Sequence, residues 1–180
     1  MKGVLVLTVV GFISAVLLVT VNNYTVAPIA AAKEKAKTKA LQEIFDFKFN
    51  LKNIKQVQKA ETTFYEISAD GKLKTIAVET SSDEGYGGKI SILVGITPTC
   101  KVTGYKILSH NETPGLGDKI TKEKFKQQFK DADINADWRV KKDGGFVDEI
   151  TAATISSRAA TNAVKKALDL VSDKYGCRGN

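Results

Sequence analysis

Residues Gly3 to Val21 contain no charged side chain, and Thr8, Ser14 and Thr20 are their only polar ones. As a helix such a run reaches about 28 Å at 1.5 Å per residue, close to the thickness of bilayer hydrocarbon. A membrane-spanning helix is therefore expected at the N-terminal end, with a folded domain after it. A cleaved signal peptide is the rival reading, with Ala30-Ala31-Ala32 as small residues for cleavage, but the apolar run exceeds the usual length of about 7 to 15 residues. Flanking charge leaves the orientation open. Lys2 precedes the run and Lys33, Lys35, Lys37 and Lys39 follow it, a bias that favours a cytoplasmic domain, yet long domains translocate largely regardless of charge.

The rest of the 180-residue chain is long enough for one domain with its own core. Three segments are expected: an anchor over 1–23, a helical connector over 24–60 and a globular domain over 61–180. In the connector, Ala32, Ala36, Ala40, Leu41 and Ile44 recur at helical spacing across Ala30–Phe45. The pattern then changes to short β-branched and aromatic runs, Phe64–Ser68, Lys74–Glu79, Ile90–Ile96 and Val102–Leu108, separated by turn signals at Asp70-Gly71, Ser81–Gly88 and Pro98. Alternation of Ile90, Ile92, Val94 and Ile96 puts one face of an antiparallel sheet on a core. A helix is expected over Lys122–Phe129. Trp138–Val140 and Phe146–Ile150 read as a hairpin about Asp143-Gly144-Gly145. Last comes a helix whose apolar stripe is Ala160, Ala163, Val164, Ala167, Leu168 and Val171, stopped at Gly176. The fold class is α+β, a transmembrane helix followed by one domain with an antiparallel sheet flanked by helices.

Composition narrows the function. The net charge of +7 comes from lysines spread along the chain, not clustered with aromatics, which argues against nucleic acid and for a solvated surface near anionic lipid. Cys100 and Cys177 form no C-x-x-C pair, although they can bridge if the domain is exported. With His110 the only histidine, a metal site of the usual kind lacks ligands. Gly85-Tyr86-Gly87-Gly88-Lys89 ends in Ile90 and so fails as a Walker A loop, and Gly115-Leu116-Gly117 lacks the third glycine of a dinucleotide fingerprint.

Chemistry concentrates in Asp148-Glu149-Ile150-Thr151-Ala152-Ala153-Thr154-Ile155-Ser156-Ser157, between an expected strand and the last helix. Hydroxyls crowd the place where free backbone N–H groups and the positive helix end favour an anion, phosphate above all. N-capping by Ser156 or Ser157, worth about 1 kcal/mol, explains the same residues without a ligand.

The segment resembles the flavinylation motif of the FMN-binding domains in the Rnf and sodium-pumping NADH:quinone reductase complexes: aspartate, two variable residues, Ser or Thr, usually Gly, then Ala-Thr. Asp148, Thr151, Ala153 and Thr154 match it, while Ala152 stands where glycine is usual and crowds the backbone if that position needs a positive φ. Two further elements are similar to the family's: the loop Glu112-Thr113-Pro114-Gly115-Leu116-Gly117 after His110-Asn111, and the turn Tyr86-Gly87-Gly88. Pro114-Gly115 suits the two central positions of a type II turn.

The resemblance implies FMN joined by a phosphoester to Thr154, attached by a flavin transferase that uses FAD and magnesium, since an unassisted threonine hydroxyl is a poor nucleophile. By the same resemblance Thr151, Ser156 and Ser157 hold the phosphate, and the Glu112–Gly117 loop lies on the ring, with Gly115 and Gly117 permitting close approach and Leu116 shielding it. Tyr86, Tyr105 and Trp138 are expected as core aromatics before stacking partners, with Tyr86 and Gly87 kept among the candidate contacts. The family implies an electron-transfer component of an Rnf-type ferredoxin:NAD+ oxidoreductase ion pump, single-pass in the cell membrane beside other subunits, with its domain on the extracytoplasmic side. The alternatives are a relative of the corresponding flavin-bearing component in the sodium-pumping reductase and an extracytoplasmic flavin-binding or flavin-sensing module in which Thr154 is only a helix cap.

Overall fold

The computed structural model describes residues 2–44, 54–59, 62–69 and 71–176. The chain divides into two compact units, Met1–Thr38 and Lys39–Asn180. The first is the greater part of a single helix, α1 (Lys2–Ile44), whose apolar side chains from Val4 to Ile29 are exposed. It is long and apolar enough to cross a membrane. Inside the apolar run the Thr8 and Thr20 hydroxyls donate to the carbonyls of Val4 (2.9 Å) and Val16 (2.7 Å), so neither depends on water for a partner. The helix continues through Pro28 without restarting, although proline removes a backbone donor there.

The second unit is built on a five-stranded antiparallel meander in the order β1-β2-β3-β4-β5. Its strands are β1 (Ile54–Lys59), β2 (Thr62–Ala69), β3 (Lys72–Gly85), β4 (Gly88–Ile96) and β5 (Val102–Ser109). Four of them fall where β-branched alternation puts them. β1 lies inside the segment expected as a helical connector. Its sequence IKQVQK has only Ile54 and Val57 as apolar residues, because an edge strand with little burial needs no alternating face, and pairing with β2 is what defines it. The Asp70 half of the expected Asp70-Gly71 turn lies outside the described residues, while Gly71 has φ 71°.

One face of the sheet carries the main core. Ile90, Ile92, Val94 and Ile96 point into it and meet the stripe of α3 (Thr154–Tyr175), where Ala160, Ala163, Val164, Ala167, Leu168 and Val171 are fully buried. The buried Thr80 hydroxyl donates to the Ala163 carbonyl at 2.8 Å and pins helix to sheet. Leu93, one residue out of the β4 alternation, faces the opposite side and packs with Tyr65, Ile67 and Ala77 against Ala40, Leu41 and Ile44 at the end of α1. Gly176 ends α3 in the left-handed conformation at φ 71°.

Between β5 and α3 the chain runs through a 3-10 turn (Gly117–Thr121), the short α2 (Glu123–Lys126), a second 3-10 turn (Gln127–Phe129) and an irregular stretch. The helix expected over Lys122–Phe129 is thus split into α and 3-10 pieces. The hairpin expected from Trp138 to Ile150 does not form. Residues Lys141–Asp143 make a 3-10 turn, and Val140 and Val147 share only an isolated parallel bridge. Aromatic packing outweighs the local turn signal: Phe129 lies 6.2 Å from both Trp138 and Phe146, and these two meet edge to face at 5.3 Å. Tyr105 and Trp138 are core residues, as expected, with the Tyr105 hydroxyl donating to the Ile120 carbonyl and the Trp138 indole to the Asp133 carbonyl, each at 2.9 Å. Burial holds the Tyr105 phenol well above its usual pKa. Cys100 is buried with φ 56°; Cys177, the partner considered for it, lies outside the described residues.

Phe129 touches Tyr105, Phe125, Trp138 and Phe146 and is fully buried, so it holds the irregular stretch onto the sheet. Phe129→Ala is expected to cost about 3–5 kcal/mol in denaturant unfolding. A loss below about 1 kcal/mol would show that the aromatic cluster does not organise this region.

Candidate flavin site

Two turns and a helix start converge on the Glu112 carboxylate, which is only 5% exposed. One oxygen, Oε1, accepts the Gly87 backbone N–H at 3.1 Å, at the tip of the β3–β4 hairpin. The other, Oε2, accepts the hydroxyl of Ser156 in the first turn of α3. A buried carboxylate left short of donors would cost several kcal/mol, so this pairing binds hairpin, loop and helix into one structure.

Glycines make the room. A Cβ on Gly85 would stand 2.5 Å from Glu112 Oε1, and one on Gly117 would stand 2.5 Å from both Glu112 Oε2 and Ser156 Oγ. A Cβ on Gly87 would collide with the Asn111 carbonyl. The missing side chain of Gly117, which also lines the cleft, makes room for the carboxylate. Gly115, at φ 75° with open space around it, serves the turn: Leu116 N–H donates to the Thr113 carbonyl at 3.1 Å across Pro114-Gly115, the type II pattern.

Across from that loop, Ala153 N–H donates to the Ile150 carbonyl at 2.9 Å, closing a turn over Thr151 and Ala152. Ala152 has φ 62°, so the third position of the turn does require the conformation that glycine adopts freely, and alanine there is strained. The Ser157 hydroxyl donates to the Ala153 carbonyl at 2.9 Å and accepts the Ile150 N–H at 3.0 Å, bracing the same turn from inside the helix. Both serines expected to hold a phosphate are therefore buried and engaged elsewhere, Ser156 on Glu112 and Ser157 on the turn. Local sequence could not separate these roles, because a hydroxyl at a helix start suits capping, bracing and anion binding alike.

Two hydroxyls of the segment, those of Thr151 and Thr154, have no hydrogen-bond partner among the described residues, and of the two it is Thr154 that stands at the helix start. It is the first residue of α3 and half-buried, and its hydroxyl has no hydrogen-bond partner among the described residues, whereas those of Ser156, Ser157 and Thr161 are all engaged. The position before it is Ala153, which cannot cap, and the N–H groups of Thr154, Ile155 and Ser156 meet no acceptor among the described residues. The helix thus presents unsatisfied donors and a positive end beside a free hydroxyl.

Thr154 opens on a cleft of about 540 Å³ lined by Tyr86, Glu112, Thr113, Leu116, Gly117, Ala152, Ala153, Ile155 and Ser156. Outside α1, the exposed large hydrophobic residues among those described are Tyr86 (73%), Leu116 (41%) and Ile155 (47%), and all three line this cleft. Tyr86 is thus an exposed wall and not a core aromatic. Ile155 was missed by sequence reasoning, although one signal was available: it stands outside the apolar stripe of its own helix. Asp148 and Thr151 lie elsewhere, on a second cleft of about 820 Å³ with Lys119, Lys122 and Lys124. There the Asp148 carboxylate pairs with Lys141 at 2.7 Å, and its backbone is held on both sides by the Gln128 amide, at 2.7 and 3.2 Å. One turn after Thr154, Arg158 donates twice to Asp143 (2.6 and 2.7 Å), tying α3 to the irregular stretch and holding the Asp143 carboxyl below its usual pKa.

Uncapped amides suited to a phosphate, next to an open apolar cleft within the volume range of small-ligand sites, fit a phosphorylated aromatic cofactor. Residues 85–169 match the family model described as the FMN-binding domain. The chain is 36% identical to the G subunit of the ion-translocating oxidoreductase complex of Vibrio cholerae serotype O1 (strain M66-2), over 94% of its own length and 89% of that protein's. With the protein of the same name from Pasteurella multocida (strain Pm70) it shares 49% identity over 54% of this chain and 52% of that one. The chain belongs to this family, the G subunits of Rnf-type complexes. In fold it is similar to two solved structures. One is the C subunit of the Na(+)-translocating NADH-quinone reductase of Parabacteroides distasonis, with TM-score 0.54 and 22% identity over 66% of this chain and 64% of that one. The other is Shewanella oneidensis NqrC, with TM-score 0.52 and 19% identity over 74% and 76%.

Relieving the left-handed alanine, Ala152→Gly is expected to stabilise the domain by about 1 kcal/mol in denaturant unfolding. Gly117→Ala is expected to destabilise it by roughly 1–3 kcal/mol, because the carboxylate it displaces is enclosed by Gly85 and Gly87 and has nowhere to go.

Proposed function

We propose that the chain carries FMN bonded through its phosphate to Thr154 and passes electrons as one component of an Rnf-type ferredoxin:NAD+ oxidoreductase ion pump. The observation that carries this reading is the free Thr154 hydroxyl at an uncapped helix start, facing the cleft that gathers Tyr86, Leu116 and Ile155. Attachment requires a flavin transferase. The Thr154 oxygen forms the new bond to phosphorus, the pyrophosphate bond of FAD breaks, AMP leaves, and the hydroxyl proton passes to a base on that enzyme. The N–H groups of Thr154, Ile155 and Ser156 would hold an attached phosphate, which would supply the missing cap.

The isoalloxazine ring supplies reversible electron uptake, and linkage through phosphate leaves it chemically free. Tyr86, Leu116 and Ile155 would hold the ring between them, while Glu112 fixes the distance between the walls that carry Tyr86 and Ile155. Thr151 and Asp148 act on the attachment loop from its far side, a motif surface for the transferase to read. The helix α1 spans the cell membrane among lipid and other subunits of the complex, with the flavin domain on the extracytoplasmic side. The reading of Thr154 as a plain helix cap is disfavoured, since Thr154 lies inside the helix and no side chain caps it.

Co-expression with a flavin transferase is expected to leave flavin fluorescence on the denatured band and an intact-mass gain of one FMN less one water. Thr154→Val is expected to abolish both and to leave the thermal midpoint of the unlabelled protein unchanged. Label persisting in that variant would move the attachment point elsewhere.

A further inference from the structure

We propose that His110 is a positioning residue for the flavin cleft, acting through the Glu112 backbone on the carboxylate that joins the cleft walls; its effect on flavin rests on the function proposed above. Residues Asn111–Thr113 belong to neither strand nor helix, so no ladder supplies an acceptor for the Glu112 amide. That amide donates instead to His110 Nδ1 at 3.1 Å. The bond spans two residues, as in turns closed by an Asn or Asp side chain, and here the half-buried imidazole takes that part. An accepting Nδ1 carries no hydrogen, so the ring proton resides on Nε2.

The consequence lies in how many contacts depend on one peptide. On one side of Glu112, the Asn111 carbonyl lies against Gly87 so closely that no side chain fits there. On the other, the Glu112 carboxylate reaches both Gly87 N–H and Ser156 Oγ. Loss of the Nδ1 acceptor lets the Glu112 peptide turn, and a turned peptide cannot keep both oxygens on their donors. Tyr86, next to Gly87, and Ile155, next to Ser156, then lose their common tie. His110 itself does not line the cleft, so its influence on a bound ring runs through Glu112.

The test uses flavin-labelled protein and four variants. His110→Ala is expected to keep the covalent label while shifting the flavin absorption band and midpoint potential in the same direction as Glu112→Gln. His110→Asn, whose amide oxygen accepts the same N–H, is expected to return both to the parent values. The double variant His110→Ala/Glu112→Gln is expected to match Glu112→Gln alone, since both changes break one linkage. Parent-like spectra and potential in His110→Ala, or failure of His110→Asn to restore them, would overturn the proposal. Nitrogen NMR of the imidazole in unlabelled parent protein supplies a readout that needs neither flavin nor a variant: an unprotonated Nδ1 is expected, and a proton on Nδ1 would overturn the assignment. Absence of label from the parent counts against the proposed function and leaves this NMR result standing.

Discussion

The Glu112 carboxylate is the point on which the cleft depends. Buried charge persists in a protein when donors meet it, and here the donors come from places far apart in sequence, Gly87 at a hairpin tip and Ser156 at a helix start. Three glycines, at 85, 87 and 117, surround the residue because a methyl group at any of them would strike its carboxylate or the adjacent backbone. Glycines that look like a flexible, ligand-hugging loop are in this domain the packing shell of an acid.

The helix below the cleft shows how a stable scaffold leaves one group unsatisfied. Along its length α3 is tied down by a fully buried apolar stripe, by the Thr80 hydroxyl and by the Asp143 pair of Arg158. At its first turn the usual cap is missing, because Ala153 holds that position and the serines lie inside the helix, engaged elsewhere. An absent cap is worth on the order of 1 kcal/mol, a cost the rest of the helix easily carries. A strained Ala152 on the adjoining turn adds to it. Deficits of this kind gather where a ligand is to complete the structure.

Exposed apolar surface tells the same story. Tyr86, Leu116 and Ile155 come from a hairpin, a loop and a helix, yet they meet on one cleft beside the free hydroxyl. The lysines 119, 122 and 124 gather on a separate cleft behind the Ile150–Ala153 turn, which Asp148 and Thr151 also line.

Much of the fold was legible because it rests on local pattern: the apolar run of α1, the alternation in β4, the stripe of α3 and its glycine stop each repeat a simple period. The match to the family motif was legible as well, since Asp148, Thr151, Ala153 and Thr154 lie within one short segment. Roles that depend on what lies opposite in space were not. β1 has almost no apolar face of its own, the expected hairpin gave way to packing on Phe129, and the hydroxyls of Ser156 and Ser157 were assigned partners only when Glu112 and the Ile150–Ala153 turn came into range. The sequence by itself determined the elements that repeat a simple period and the segment Asp148–Ser157 in which hydroxyls crowd a helix start. Tertiary structure decided which hydroxyls are engaged and which residues wall the cleft, because a hydrogen bond or a buried charge is settled by the partner within about 3 Å and not by the neighbour along the chain.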